Sequence, residues 1–169
     1  MTGTHTKLIL ASASPRRREL LALAGVPFDI VVSPAQEPAP DGGEHPAAYA
    51  ARMARLKAAA VAEMHPAAVV LGADSVVAVG ETILGKPANA DDALRMLRLL
   101  AGRSHQVVTG CALFAPGREP EIFTVATDVT MGVVSEDRLA AYVASGEPMD
   151  KAGAYAIQGG AAAFVTAIC

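Results

Sequence analysis

Three consecutive arginines, Arg16 to Arg18, sit in the string SASPRRREL directly after the apolar run Leu8 to Leu10. Ser14 suits an N-cap and Pro15 the first helical position, so the arginines fall in the first turn of a helix. That end of a helix behaves like about half a positive charge, and each cation there costs roughly 0.3–1 kcal/mol unless an anion lies nearby. Two other helix starts obey the usual rule: Asn89 precedes Asp91 and Asp92, and Ser135 precedes Glu136 and Asp137. The inverted start therefore points to an anionic ligand, with phosphate the natural candidate. Helical phase puts Leu20, Leu21 and Leu23 on the buried arc, with Arg16 and Arg17 beside it and Arg18 pointing away. A solvated basic patch is the plain alternative.

Asp74 is the second anchor. It closes the continuous apolar run 68–73, and a carboxylate there is held by cations, hydrogen bonds or a metal, or else caps a turn through its own backbone. Strand ends of this kind are where open α/β sheets bind ligands. Glu37, in an acidic loop, gains interest only as a partner of Asp74 around a divalent cation. Lys86, between Gly85 and Pro87, can aim an ammonium at phosphate, although an exposed loop lysine is as simple a reading. The stretch MDKAGAYAIQGG, 149–160, packs small residues around Lys151 and Gln158, leaving backbone free to approach a ligand or to make a tight turn. His5, His45, His65 and His105 lack HxH or HExxH spacing and read as loop or helix-end residues. Neither a Walker loop nor GxGxxG is present, which disfavours those nucleotide-binding modes.

The elements that must position these residues alternate between helical and strand periods, which gives a mixed α/β chain. Strands are expected over 7–11, 28–32, 68–73, 76–79, 106–114 and 161–168, with another long one around Val125 to Val133. That last strand presents Val125, Val129, Met131 and Val133 to the core. Helices are expected over 15–24, 46–64, 90–101 and 136–145. On the long second helix Tyr49, Met53, Leu56 and Ala60 form the core stripe, Lys57 lies at its edge and Arg55 faces away. Residues 33–44, rich in Pro, Gly and acids, read as a mobile loop.

At 169 residues the default is a single domain over 1–169 with one substantial core. A formal charge of −3 and 4% aromatic residues disfavour a general nucleic-acid binder. Cys111 and Cys169 lie far apart without metal-ligand spacing, which fits a reducing compartment. The N-terminal MTGTHTK has no apolar signal core and no stretch approaches ~18 apolar residues, so the expected location is the cytoplasm, away from membranes.

Taken together and in order, SASPRRREL, ARLKA, GADS, ILGKP, LAGRSHQVVTG and GEPMDKAGAYAIQG resemble the Maf family of nucleoside triphosphate pyrophosphatases over nearly the whole chain. The resemblance implies a fold like that of inosine triphosphate pyrophosphatases (Maf/Ham1), α/β with a twisted mixed sheet, flanking helices and a cleft between two lobes. It implies hydrolysis of nucleoside triphosphates to monophosphate and pyrophosphate with a divalent cation, Mg2+ or Mn2+, commonly as a homodimer, in house-cleaning of the nucleotide pool. Carried over by residue, Asp74 is the proton acceptor, and Glu37 with Asp74 forms the metal site. Ser12, Ser14, Arg16, Arg17, Lys57 and Lys86 hold the phosphates; Arg16, Ser75 and Gln158 bear on substrate choice. GADS with AIQG resembles the branch acting on dTTP and UTP, with modified pyrimidine nucleotides as further candidates, although Ser75 is commonly Thr there. Relatives usually continue past a point equivalent to Cys169 with a strand and a helix, so the resemblance also implies an uncovered sheet edge. The rival from another class is a nucleotide-binding regulator of cell division that does not hydrolyse its ligand.

Overall fold

The computed structural model describes residues 7–169, so His5 and the polar stretch before Lys7 lie outside the described residues. In chain order the elements are β1 (Leu8–Leu10), α1 (Pro15–Leu23), β2 (Phe28–Ile30), α2 (Pro46–Met64), β3 (Val69–Val79) and β4 (Thr82–Leu84). They continue with α3 (Ala90–Leu100), β5 (Ser104–Phe114), β6 (Glu121–Met131), α4 (Glu136–Ala144) and β7 (Val165–Ile168). The strands form one seven-stranded mixed sheet in the order β2-β1-β3-β5-β6-β7, with β4 paired to β3. β1 runs parallel to both β2 and β3, whereas β4 on β3 and β7 on β6 are antiparallel.

The chain groups into two compact units. One takes the described residues up to Ala39 with Ala47–Asp74 and Thr109–Thr124; the other takes Pro40–Pro46, Ser75–Val108 and Val125–Cys169. In the first unit, α2 lies against the sheet through small residues. A Cβ on Gly72 would come 2.5 Å from the Ala54 carbonyl oxygen, and one on Gly110 would come 2.3 Å from that of Ala50. The helix backbone thus rests almost directly on β3 and β5. That close approach selects the face it buries, which carries Ala50, Met53, Ala54, Ala58 and Val61. Of the expected stripe Tyr49, Met53, Leu56 and Ala60, only Met53 is fully buried, because the larger Tyr49 and Leu56 have no room over the glycines.

The second unit packs larger side chains. Val77, Leu84, Met96, Leu97, Leu100, Met131, Leu139, Tyr142, Tyr155 and Phe164 form its core. The start of α3 follows its sequence closely: the Asn89 side chain accepts the Asp92 N–H at 2.9 Å, and the Asp92 carboxylate accepts the Ala88 N–H at 3.0 Å. That bond, joined by Arg95, holds the Asp92 carboxyl below its ordinary range. Ser135 occupies the N-cap position of α4 but makes no side-chain capping bond. Glu136 instead takes Arg98 of α3 in a two-pronged pair at 2.8–3.0 Å.

Several expectations are corrected. β3 does not stop at Ala73; it runs unbroken through Asp74 and Ser75 to Val79, because apolar residues on both sides stay in ladder register. Val125 is 54% exposed and Val133 is 93% exposed, so only Val129 and Met131 of that set enter the core. Residues 160–164 form a short 3-10 turn, and only Val165–Ile168 is strand, since the Gly and Ala there have weak strand preference. Leu20 and Leu23 are 52% and 84% exposed, and no residue of α1 is buried. That short helix is fixed by polar bonds at its N-terminus, not by an apolar face.

His105, expected in a loop or at a helix end, is instead buried at 3% exposure on β5. Its Nε2 lies 2.7 Å from the Tyr155 hydroxyl, the two rings meet edge to face, and its Nδ1 has no partner among the described residues.

Two predictions follow from this packing. Gly110→Ala drives a methyl group into the α2 backbone and should lower stability by about 1–3 kcal/mol or more, read as a fall in Tm. Gly85→Ala, whose Cβ would meet nothing within 4 Å, is the control and should leave Tm unchanged on steric grounds. Burial pulls the His105 pKa below its ordinary 6.5, so on acidification the unfolded chain takes the proton first. The stability due to the neutral ring is complete above about pH 6.5 and drains away as pH falls towards the folded value. His105→Gln should flatten that part of the Tm–pH curve; identical slopes for the two proteins between about pH 7.5 and 5 would refute it.

Candidate active site

Asp74 lies on the same face of β3 as Gly72, two residues before it, because side chains alternate along a strand. α2 presses on that face at Ala54 and Ala58, so Lys57 is delivered to the carboxylate. Its Nζ donates to Asp74 Oδ1 at 2.6 Å and sits 3.0 Å from Glu37 Oε1. The Lys57 and Asp74 side chains are each 12% exposed, whereas Glu37 is 53% exposed. Lys57 therefore belongs to the buried side of the helix, further in than the edge position its phase suggested. The loop bearing Glu37 is tied down as well: the Tyr49 hydroxyl donates to the Pro38 carbonyl at 3.1 Å and Arg52 to that of Ala39 at 3.5 Å.

The turn before α1 joins the same unit. Ser14 caps the helix by accepting the Arg17 N–H, with no acidic residue in the first turn. Ser12 Oγ, buried, accepts the Ser14 N–H at 3.2 Å and an Arg17 guanidinium N–H at 3.4 Å. The same guanidinium nitrogen donates to the Ala73 carbonyl at 2.7 Å, one residue before Asp74. Arg17 is half-buried and Arg18 is exposed, as helical phase predicts, but Arg16 is exposed and turns to Glu19 at 3.8 Å. Arg17 also favours the ionised form of the Cys111 thiol, though burial dominates and pushes that thiol up.

The second unit carries Ser75, Lys86 and Gln158. Ser75 is half-buried on β3, directly after Asp74. Lys86 is exposed in the loop after β4, and the preceding Gly85 carbonyl accepts the Gly153 N–H at 3.0 Å. Lys86 adds a small favourable charge to Asp150, whose carboxyl is held low mainly by its hydrogen bond from Lys151. Gln158 is exposed on the turn that closes the 149–160 stretch.

Sequence reading missed three polar side chains around that turn: His105, Tyr142 and Glu147. Tyr142 and Phe164 meet edge to face at 5.4 Å, and burial pushes the Tyr142 hydroxyl up to about 12. Their bonds to the turn, from His105 to Tyr155, from Tyr142 to Ala156 and from Glu147 to Gly160, span 50, 14 and 13 residues, beyond the reach of local pattern. The only local signal was the Gly159–Gly160 pair, which leaves room for a foreign side chain.

Among the described residues no group of three or more His, Cys, Asp or Glu gathers as a metal cage. Asp74 and Glu37 nevertheless converge on one positive centre, the Lys57 ammonium. Magnesium is ordinarily held by one or two carboxylates together with substrate phosphates, so this pair fits such an ion once a triphosphate is present. Among the described residues no helix is long and apolar enough to cross a membrane. Lys57→Met removes the partner of a mostly buried carboxylate and should cost about 3–5 kcal/mol. Combined with Asp74→Asn the two losses should fall well short of their sum in a Tm or denaturant cycle; full additivity would mean that the pair is not coupled.

The Maf-like protein family model matches residues 7–169. The dTTP/UTP pyrophosphatase of Nitratidesulfovibrio vulgaris is 52% identical over 167 residues, covering 99% of this chain and 79% of the relative. That of Myxococcus xanthus is 50% identical over 159 residues, covering 94% of this chain and 80% of its own length. Among solved structures, the Staphylococcus aureus Ham1 protein has a TM-score of 0.54 at 16% identity over 75% of this chain and 72% of that one, a likeness of fold. The matched span takes in every candidate residue from Ser12 to Gln158, and the chain belongs to the Maf family.

Proposed function

We propose that this chain hydrolyses nucleoside triphosphates, dTTP and UTP foremost and modified pyrimidine nucleotides with them, to the monophosphate and pyrophosphate. Relatives named dTTP/UTP pyrophosphatase at about half identity support that substrate and reaction. The observation that carries the site is the Lys57 ammonium held 2.6 Å from Asp74 and 3.0 Å from Glu37 in a largely buried spot. The family resemblance supports a nucleoside triphosphate as partner, the cytoplasm as location and a homodimer as a form the chain can take.

Asp74 accepts the proton of the attacking water while the α–β anhydride bond breaks and pyrophosphate departs with its electron pair. Negative charge grows on that leaving group, so donors already in place stabilise it without reorganising. We assign phosphate binding to Ser12, Ser14, Arg16, Arg17, Lys57 and Lys86. The cationic first turn of α1, with Ser14 as its cap, supports the first four. Asp74 and Glu37 would hold Mg2+ or Mn2+, which when bound supplies further neutralisation of the triphosphate. Arg16, Ser75 and Gln158 are assigned to substrate choice.

Pyrophosphate release from a panel of canonical and modified triphosphates, with magnesium, manganese or chelator, tests this reading. Turnover should need the cation and favour dTTP and UTP. Asp74→Asn keeps an acceptor for Lys57 and should lower turnover by about 10²–10⁴-fold with nucleotide binding retained. A protein that binds dTTP yet releases no pyrophosphate from any triphosphate would be a nucleotide-sensing regulator, and the hydrolase reading would fall.

A further inference from the structure

Within the second unit, residues 153–160 are fastened at several points. The Gly153 N–H donates to the Gly85 carbonyl at 3.0 Å, and a Cβ on Gly153 would sit 2.8 Å from the Val77 side chain. Ala154, fully buried, adopts the left-handed region at φ 59, a conformation that costs a non-glycine residue energy and persists only where its surroundings enforce it. Tyr155 is pinned by His105 at 2.7 Å. The Ala156 N–H donates to the Tyr142 hydroxyl at 3.2 Å, and that hydroxyl donates to Glu147 Oε1 at 2.9 Å. Both Glu147 carboxylate oxygens accept the Gly160 N–H at 3.1 Å.

The glycine pair now has a physical reason. A Cβ on Gly159 would stand 1.9 Å from Glu147 Oε1, and one on Gly160 would stand 3.2 Å from the Tyr142 ring. The Glu147 carboxylate lies flat on the turn only because both side chains are absent. Gln158, the exposed residue between these fastenings, sits on a backbone held on both sides.

We propose that Tyr142 and Glu147 are positioning residues for Gln158: their hydrogen-bonded pair clamps the Ala156–Gly160 turn and so sets the amide that discriminates between bases. The proposal rests on the reading of Gln158 as a substrate-choice residue. A side chain on a fixed backbone reaches fewer positions and can reject a base that leaves its amide unpaired, whereas one on a mobile turn shifts to fit either base.

The test measures binding of α,β-methylene analogues of dTTP and dCTP, which cannot be cleaved at that bond, alongside pyrophosphate release from the natural nucleotides. The wild-type protein should prefer the dTTP analogue. Glu147→Gln and Tyr142→Phe should each reduce the dTTP to dCTP affinity ratio about tenfold, chiefly by improving the wrong base. Gln158→Ala should do the same, and Gln158→Ala combined with Glu147→Gln should lose no more than either alone. Should Glu147→Gln fail to fold, Gly159→Ala presses on the same carboxylate and should reproduce the effect. An unchanged ratio in folded Glu147→Gln or Gly159→Ala, additive losses in the double variant, or no preference in the wild-type protein would each overturn the proposal. Absence of pyrophosphate release with the affinity ratios as expected would overturn only the hydrolase reading.

Discussion

One ammonium group shared by two carboxylates governs the first unit. Lys57 and Asp74 are both largely withdrawn from water, and neither charge would be tolerable there without the other. Their 2.6 Å contact depends on how near α2 comes to β3, and that spacing depends on Gly72 and Gly110 having no side chain. Any larger residue at those points lifts the helix and withdraws the ammonium. Packing of the smallest residues thus controls the geometry of the most highly charged ones. Glu37 then completes the group from a loop that Tyr49 and Arg52 hold at Pro38 and Ala39.

The arginines at the start of α1 show the same economy of means. Three cations at the positive end of a helix strain its electrostatics, and no acidic residue in that turn relieves them. Arg17 is answered in part by the Ala73 carbonyl and Ser12, which also anchors a helix that buries none of its own residues. Arg16 and Arg18 stay exposed, so the turn keeps positive charge facing solvent, where a phosphate can meet it. In the second unit the emphasis is reversed. A larger apolar core supports a glycine-rich turn, and hydrogen bonds from hydroxyl, imidazole and carboxylate groups supply the rigidity that small residues cannot supply by contact.

Much of this was legible in the amino-acid sequence. The α2 bounds, the Asn89 start of α3 and the cationic start of α1 follow from local capping chemistry and periodicity, because their causes lie within a turn or two of the residues concerned. Asp74 stood out for a related reason: a carboxylate after a run of buried apolar residues demands a partner wherever the chain goes next. The order of the motifs was enough to reveal the family, since that information is linear.

Which partner each group met was decided by tertiary structure. An alanine-rich helix has no strong face of its own, so sheet glycines far away in sequence chose the face bearing Lys57 and displaced the one bearing Leu56. His105 carries no local mark of burial; its place on β5 opposite Tyr155 arises only when strand and turn are brought together. The grip of Tyr142 on Ala156 and of Glu147 on Gly160 likewise arises only when the chain folds back, with Gly159 and Gly160 as its hint in the sequence. Periodicity and capping are short-range and can be read from neighbours, whereas packing and hydrogen-bond partnership are long-range and exist only once the chain has closed on itself.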